Sequence, residues 1–347
     1  MRKVKRIFYI AGFKDESPRS IRIQPRMWLK GLLRLGHDVQ RFNYWNISKI
    51  VNRFNKGYMR RFINRLNGNK TDNILVEHVK NYKPDIVFLY SMKYLTDVSI
   101  KLIRDAAPDA VFVGRDDDPF PERNNERLKI AKHTDIMITT GAGRFLKTYK
   151  DNGTPLCAFI PNVCDPDIQY KYKVGGKYKT DIVFTGKATH SRLDRIGDRF
   201  HLIKTLSEME NCRLYGTFNE PKIEGLDYFR ALSGAKIALS INYVNDESLY
   251  HSDRFINCLA CGVFTLSKRV PDTELLFQDG VHLRYFETEE EFFDLADYYL
   301  RHESEREKIA IAGMEHAHKE FNCQKIARLL MDLIETGDYK APWKVIL

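Results

Sequence analysis

Tyr250-His-Ser-Asp-Arg254-Phe-Ile-Asn257-Cys-Leu-Ala-Cys-Gly262-Val-Phe-Thr-Leu-Ser267 runs in the order loop, helix, stop, strand. Ser252 or Asp253 is placed to cap a helix that continues to about Cys261, and Gly262 ends it before an apolar strand. An apolar run, Ala235 to Ile241, and a polar loop, Asn242 to Leu249, come just before. Strand, crossover helix and second strand make a parallel unit whose helix starts at the C-terminal end of the sheet. Free backbone amides and the positive dipole end gather there, a ready place for a phosphate. Arg254 lies in the first turn, where a cation opposes the dipole; an anion at that spot accounts for it, and a surface arginine at a helix start is the other reading.

The same alternation extends in both directions. Downstream of a polar stretch, Asp165 to Lys179 with Gly175-Gly176 inside it, strands are predicted at Asp181–Thr185, Cys212–Tyr215, Ala235–Ile241, Val263–Ser267 and His282–Phe286. Thr288 with Glu291, and Ser304 with Glu307, have capping-box spacing and mark helix starts. Upstream, strands are predicted at Arg6–Ile10, Val39–Tyr44, Asp85–Tyr90, Ala110–Val113, Ile136–Thr139 and Cys157–Ile160, with helices between them. A loop carrying Asp116-Asp117-Asp118-Pro119 follows the fourth of these strands. The expectation is α/β: two Rossmann-like, doubly wound parallel-sheet domains facing each other across a cleft. Residues 1–165 form the first domain, 166–179 a linker and 180–320 the second domain; 321–347 is a C-terminal helix that crosses back to the first domain.

The chain has 347 residues, about two domains' worth, with 43% apolar and 29% charged residues, as in soluble globular proteins. No apolar run approaches the ~20 residues a membrane helix needs. Ile7 to Phe13 after the basic N-terminus reads as a first strand and not as a signal peptide. Six irregularly spaced Cys suggest a reducing, cytoplasmic setting. The net charge is +10, from 56 Lys and Arg against 46 Asp and Glu, and favours phosphorylated or polyanionic partners. Much of the excess falls in segment 41–70, where Arg41, Lys49, Arg53, Lys56, Arg60, Arg61, Arg65 and Lys70 meet no acidic residue.

G-x-G-x-x-G after the first strand, the P-loop pattern, G-x-S-x-G and H-E-x-x-H are all absent from the sequence. Cys258-x-x-Cys261 has no second pair at zinc spacing and sits in an apolar segment, so it reads as two packed thiols.

The order Leu226-Asp-Tyr-Phe-Arg-Ala-Leu232, Ala235-Lys-Ile-Ala-Leu239, Ser252-Asp-Arg254-Phe255, Ala260-Cys-Gly262, Glu274-Leu-Leu-Phe277, Gly280, Tyr298-Tyr-Leu-Arg-His302, Arg306 and Gly313 resembles the C-terminal domain of the CgeB-like glycosyltransferases, over about residues 180–320. These are enzymes of GT-B type. The resemblance implies transfer of a sugar from a nucleotide-diphosphate donor, a UDP-sugar first among them, bound in the C-terminal domain. The acceptor lies against the N-terminal domain. It also implies no metal and no tightly bound cofactor, because cations and a helix N-terminus neutralise the leaving diphosphate. Arg254 is the expected catalytic cation. Gly186, Lys187 and Arg192 are the expected phosphate loop, and Tyr215, Tyr250, Ser252, Asp253, Asn257 and Glu274 complete the donor contacts. Many retaining relatives carry a Glu pair whose members fall here on Leu249 and Asn257, so the stereochemical outcome stays open. Asp117, at the end of a first-domain strand, is the candidate base on an acceptor hydroxyl, with a plain Asp-Pro turn as the other reading. The basic segment suits an anionic acceptor, whether a phosphorylated glycan, a cell-surface or spore component, or modified-base DNA. A non-catalytic nucleotide-sugar or nucleic-acid binder on the same scaffold is the alternative.

Overall fold

The computed structural model describes residues 3–13, 23–51, 70–93, 95–117, 125–187, 198–218 and 220–347. Arg60, Arg61 and Arg65 of the basic segment, Asp118 and Arg192 lie outside these residues.

The N-terminal sheet holds six parallel strands in the order β2-β1-β3-β4-β5-β6: β1 Arg6–Ile10, β2 Asp38–Phe42, β3 Ile86–Leu89, β4 Val111–Asp116, β5 Ile136–Thr139 and β6 Leu156–Phe159. Helices α1 Ile23–Arg34, α2 Tyr44–Val51, α3 Lys70–Tyr82, α4 Asp97–Ala106, α5 Asn125–Ala131 and α6 Arg144–Asp151 alternate with them. β1 and β3 to β6 are buried almost throughout, as parallel strands covered on both faces must be. The C-terminal sheet has five parallel strands in the order β11-β10-β9-β7-β8: β7 Thr180–Thr185, β8 Cys212–Tyr215, β9 Ala235–Ser240, β10 Phe264–Lys268 and β11 Arg284–Phe286. Its helices are α7 Asp198–Ser207, α8 Leu226–Gly234, α9 Asp253–Ala260, α10 Glu289–Arg301, α11 Glu303–Glu320 and α12 Cys323–Thr336. The doubly wound two-domain architecture therefore agrees with the sequence-based expectation.

Three local readings change. β4 runs on through Arg115 and Asp116, which pair with Ile138 and Thr139 of β5, so Asp116 is strand and not loop. Sheet pairing outweighs the turn preference of the acidic run, because both side chains find buried partners. Helix α11 starts at Glu303 after His302, so Ser304 is already inside it and caps nothing. Thr288 does cap α10, accepting from the Glu291 amide, but the Glu291 carboxylate reaches back to the Glu287 amide instead of that of Thr288.

The two halves share one apolar core. Tyr9, Trp28 and Phe88 of the first domain belong to the same buried cluster as Phe255, Ile256 and Leu259 of α9 and Ile326 and Leu330 of α12. Helix α12 packs on α1, and Gly31 makes that approach possible: a Cβ there would stand 2.2 Å from the Cys323 carbonyl oxygen. Gly31→Ala is accordingly expected to lower the melting temperature, costing about 1–3 kcal/mol as an overpacked contact; an unchanged melt would mean the helices part freely. Beyond α12 the chain adds an antiparallel pairing to β6, with Cys157 N donating to Leu347 O (3.1 Å) and Phe159 N to Val345 O (3.0 Å). This covers an edge strand that would otherwise present unpaired amides. Among the described residues no helix is long and apolar enough to cross a membrane.

Candidate functional site

The loops after β4, β5 and β6 meet the loop after β9 and the start of α9. Ala142 N donates to Ser248 O (2.8 Å), and Asn162 Nδ2 to His251 O (3.2 Å). Arg144 at the start of α6 pairs with Glu247 and Asp246. The C-terminal ends of both sheets thus face one cleft, as open parallel sheets require of a ligand site.

On the C-terminal side β7 ends at Gly186, whose φ of +146° suits glycine. A Cβ at Gly186 would stand 2.9 Å from Arg254 Nη2 and 3.3 Å from Arg199 Nη2, so two guanidinium groups flank this peptide. Arg254 is buried. Its Nε donates to Thr185 O (2.6 Å) and its Nη1 to Ile241 O (2.8 Å), and its guanidinium lies over the Phe184 ring. Its Nη2 has no hydrogen-bond partner among the described residues. Arg199, also buried, donates to Ile241 O (3.0 Å) and Lys187 O (2.8 Å) and stacks on Tyr243 at 3.8 Å. The two arginines cap carbonyls at the ends of β7 and β9, which carry partial negative charge. Arg254 is thus buried and answers strand-end carbonyls, which neither the anion reading nor that of a surface arginine had included.

Ser252 stands at the N-cap of α9, but its hydroxyl makes no capping bond, and the buried Oγ lacks a partner among the described residues. Its amide donates to Asn242 Oδ1 (3.2 Å). Asp253 is open to the cleft but hemmed in by protein. Lost hydration, then the nearby Asp117 carboxylate, raise its pKa above the ordinary value, against the pull of Arg254 and Arg115. Lys187 is exposed beside Gly186. Gly186, Lys187, Ser252, Asp253 and Arg254 therefore come together, and Arg199 joins them.

Other expected donor contacts lie further out. The Asn257 side chain accepts from Gln169 Nε2 (2.6 Å) and donates to the Tyr228 hydroxyl (3.4 Å). Tyr250 packs edge-on against Phe145 across the domain junction, and Tyr215 ends β8 with its carbonyl bonded to the Gly186 amide (2.9 Å). Glu274 is exposed and pairs with Arg269 in a groove beside β10.

On the N-terminal side Arg115 is almost fully buried, its guanidinium over Tyr90, and holds the Asp117 carboxylate (3.1 Å) and Asn162 Oδ1 (2.8 Å). Asp116 instead takes Arg127 and the Tyr149 hydroxyl (2.5 Å). The two described carboxylates of the acidic run therefore belong to different guanidinium groups, and Asp117 is the one facing Asp253.

Asn162 N donates to His251 Nε2 (3.3 Å), while His251 Nδ1 lies 2.9 Å from Leu249 O; the ring is therefore neutral with its proton on Nδ1. Burial lowers its pKa from 6.5 to about 4. His282, stacked on His316, is lowered to about 4 by burial and then by His316. Between those limits the unfolded chain binds protons that the folded chain refuses. The stability these neutral rings contribute is complete above pH 6.5 and is lost as pH falls toward 4. Thermal melts from pH 7 to 4 should show falling midpoints, less steeply in His251→Gln; a flat profile would overturn this assignment.

Arg199 escaped the sequence reading, yet it carried a signal. Like Arg254, it is a cation in the first turn of a helix. Arg115 had no such mark, because only β4 pairing and burial reveal it.

Residues 198–332 match the family model described as glycosyl transferase-like. The fold matches GT-B glycosyltransferase structures. HepE of Anabaena, solved with UDP and glucose, is 11% identical over 96% of this chain and 100% of its own, with a TM-score of 0.60. A sucrose-phosphate synthase from Thermosynechococcus elongatus is 13% identical over 95% of this chain and 98% of its own, with a TM-score of 0.61. A glycosyltransferase from Rickettsia africae is 13% identical over 96% of this chain and 98% of its own, with a TM-score of 0.59. No curated protein matches the chain in sequence.

Proposed function

We propose that the chain is a glycosyltransferase, of the CgeB-like kind, that moves a sugar from a nucleoside diphosphate, UDP first, to an acceptor hydroxyl. The observation that carries this reading is the pair of guanidinium groups at Gly186 beside the N-terminus of α9, at the cleft of a GT-B fold. The UDP held by HepE supports the choice of nucleotide.

In this reading the acceptor oxygen bonds to the anomeric carbon as the bond from that carbon to the diphosphate oxygen breaks. The electron pair goes to the diphosphate, where negative charge builds. Arg254 Nη2, Lys187 and the α9 N-terminus at Ser252 meet that charge and act most strongly at the transition state. The acceptor proton passes to Asp117, which Arg115 holds in place. No divalent cation is required, since fixed cations neutralise the leaving group. The acceptor side carries the basic segment 41–70, which suits an anionic acceptor such as a phosphorylated glycan or a modified nucleic acid.

UDP at about 100 times its dissociation constant should stabilise the fold by about 2.7 kcal/mol in a thermal melt, with or without EDTA. Loss of the shift in EDTA would overturn metal independence, and no shift with any nucleoside diphosphate would overturn the donor site. Binding without transfer or donor hydrolysis would identify a non-catalytic binder.

A further inference from the structure

At the opposite end of the C-terminal sheet, where β7, β9 and β10 begin, lies a cavity of about 740 Å³. Its volume is in the range of small-molecule sites. Part of the wall is apolar, made by Phe264, Ala310, Ile311 and Met314. Ile311 is 52% exposed, which leaves apolar surface uncovered.

The charged groups in the wall divide into two sets. Lys236 is paired with Asp181 (2.8 Å), and Arg306 with Glu303 (3.3 Å) and the Tyr299 carbonyl oxygen (2.6 Å). The ammonium groups of Lys171 and Lys179 have no hydrogen bond or ion pair among the described residues, and Glu307, the third carboxylate of the wall, lies beyond ion-pair distance of both. The stem of Lys171 lies along Gly262, 3.4 Å from where a Cβ would be. Surrounding protein lowers the Lys171 pKa against the pull of Cys261 and Glu307, and Arg306 adds to the lowering. Both lysines are exposed, so an anion that enters the cavity can reach two ammonium groups that no carboxylate holds.

We propose that this cavity is a second ligand site, separate from the cleft, for a small molecule with an apolar body and one anionic group, the anion held by Lys171 and Lys179. The cavity also touches the helix that serves the cleft. Gly262 in its wall ends α9, and Gln169, two residues before Lys171, is bonded to Asn257 within α9.

Phenyl phosphate serves as the probe, titrated calorimetrically into the full chain, with inorganic phosphate and phenol in parallel. Saturable binding at or below about 1 mM is expected, tighter than for either half of the probe. Lys171→Met should weaken it about ten-fold, the scale of one charge-assisted hydrogen bond, with an unchanged melt, whereas Lys187→Met in the cleft should leave it alone. Absence of saturable binding would overturn the proposal. So would loss of binding in Lys187→Met with none in Lys171→Met, which would assign the probe to the cleft.

Discussion

Arg254→Ala is expected to lower both the melting temperature and the transfer rate. The guanidinium donates to two carbonyls, Thr185 O and Ile241 O, at the ends of adjacent strands. Removing it leaves the Thr185 carbonyl without that donor and Ile241 O with Arg199 alone, and an orphaned buried acceptor costs about 1–3 kcal/mol. Turnover with saturating donor should fall by about 10²–10³, the usual cost of one preorganised donor to a developing anion. Arg254→Lys should recover part of the stability but not the rate, because an ammonium cannot serve two carbonyls and a phosphate in one plane. A single-turnover assay beside an apo melt separates the two roles. A melt at or above that of the parent would remove the strand-end role, and a parental rate would remove the residue from the reaction.

Asp117→Asn is expected to reduce transfer by about 10²–10⁴ while donor affinity holds, since a base acts on the acceptor and not on the diphosphate. The same substitution has a second, independent readout. The Asp117 carboxylate raises the Asp253 pKa, so its neutralisation should let that pKa fall toward the ordinary carboxylate value. Carboxyl-detected NMR titration of Asp253 in the parent and the variant measures the shift. An upward shift, or none, would mean that the two carboxylates do not face each other across the cleft. Full transfer by Asp117→Asn would return the residue to an ordinary strand-end turn.

The architecture was legible because its signals are local. Short apolar runs, each closed by a polar loop or a glycine, alternate with amphipathic stretches, and Gly186, Gly216 and Gly262 all stand at positive φ where the sequence placed a strand or helix end. The start of α9 at Ser252 and Asp253 was readable for the same reason. The reach of β4 was not, because Arg115 and Asp116 look like loop residues until a neighbouring strand and buried partners hold them.

The sequence by itself determined the order of elements, the start of α9 and the cationic residue in its first turn, since each depends only on neighbours along the chain. Tertiary structure alone decided what those residues meet. Arg199 and Arg254 share the Ile241 carbonyl, Arg115 joins Asp117 to Asn162, and Asn162 reaches His251 in the other domain. Apart from the Arg115–Asp117 pair, two positions apart, these contacts join residues 13 to 89 positions apart. They form only when parallel strands bring their C-terminal ends together and buried guanidinium groups must find carbonyls or carboxylates to replace water.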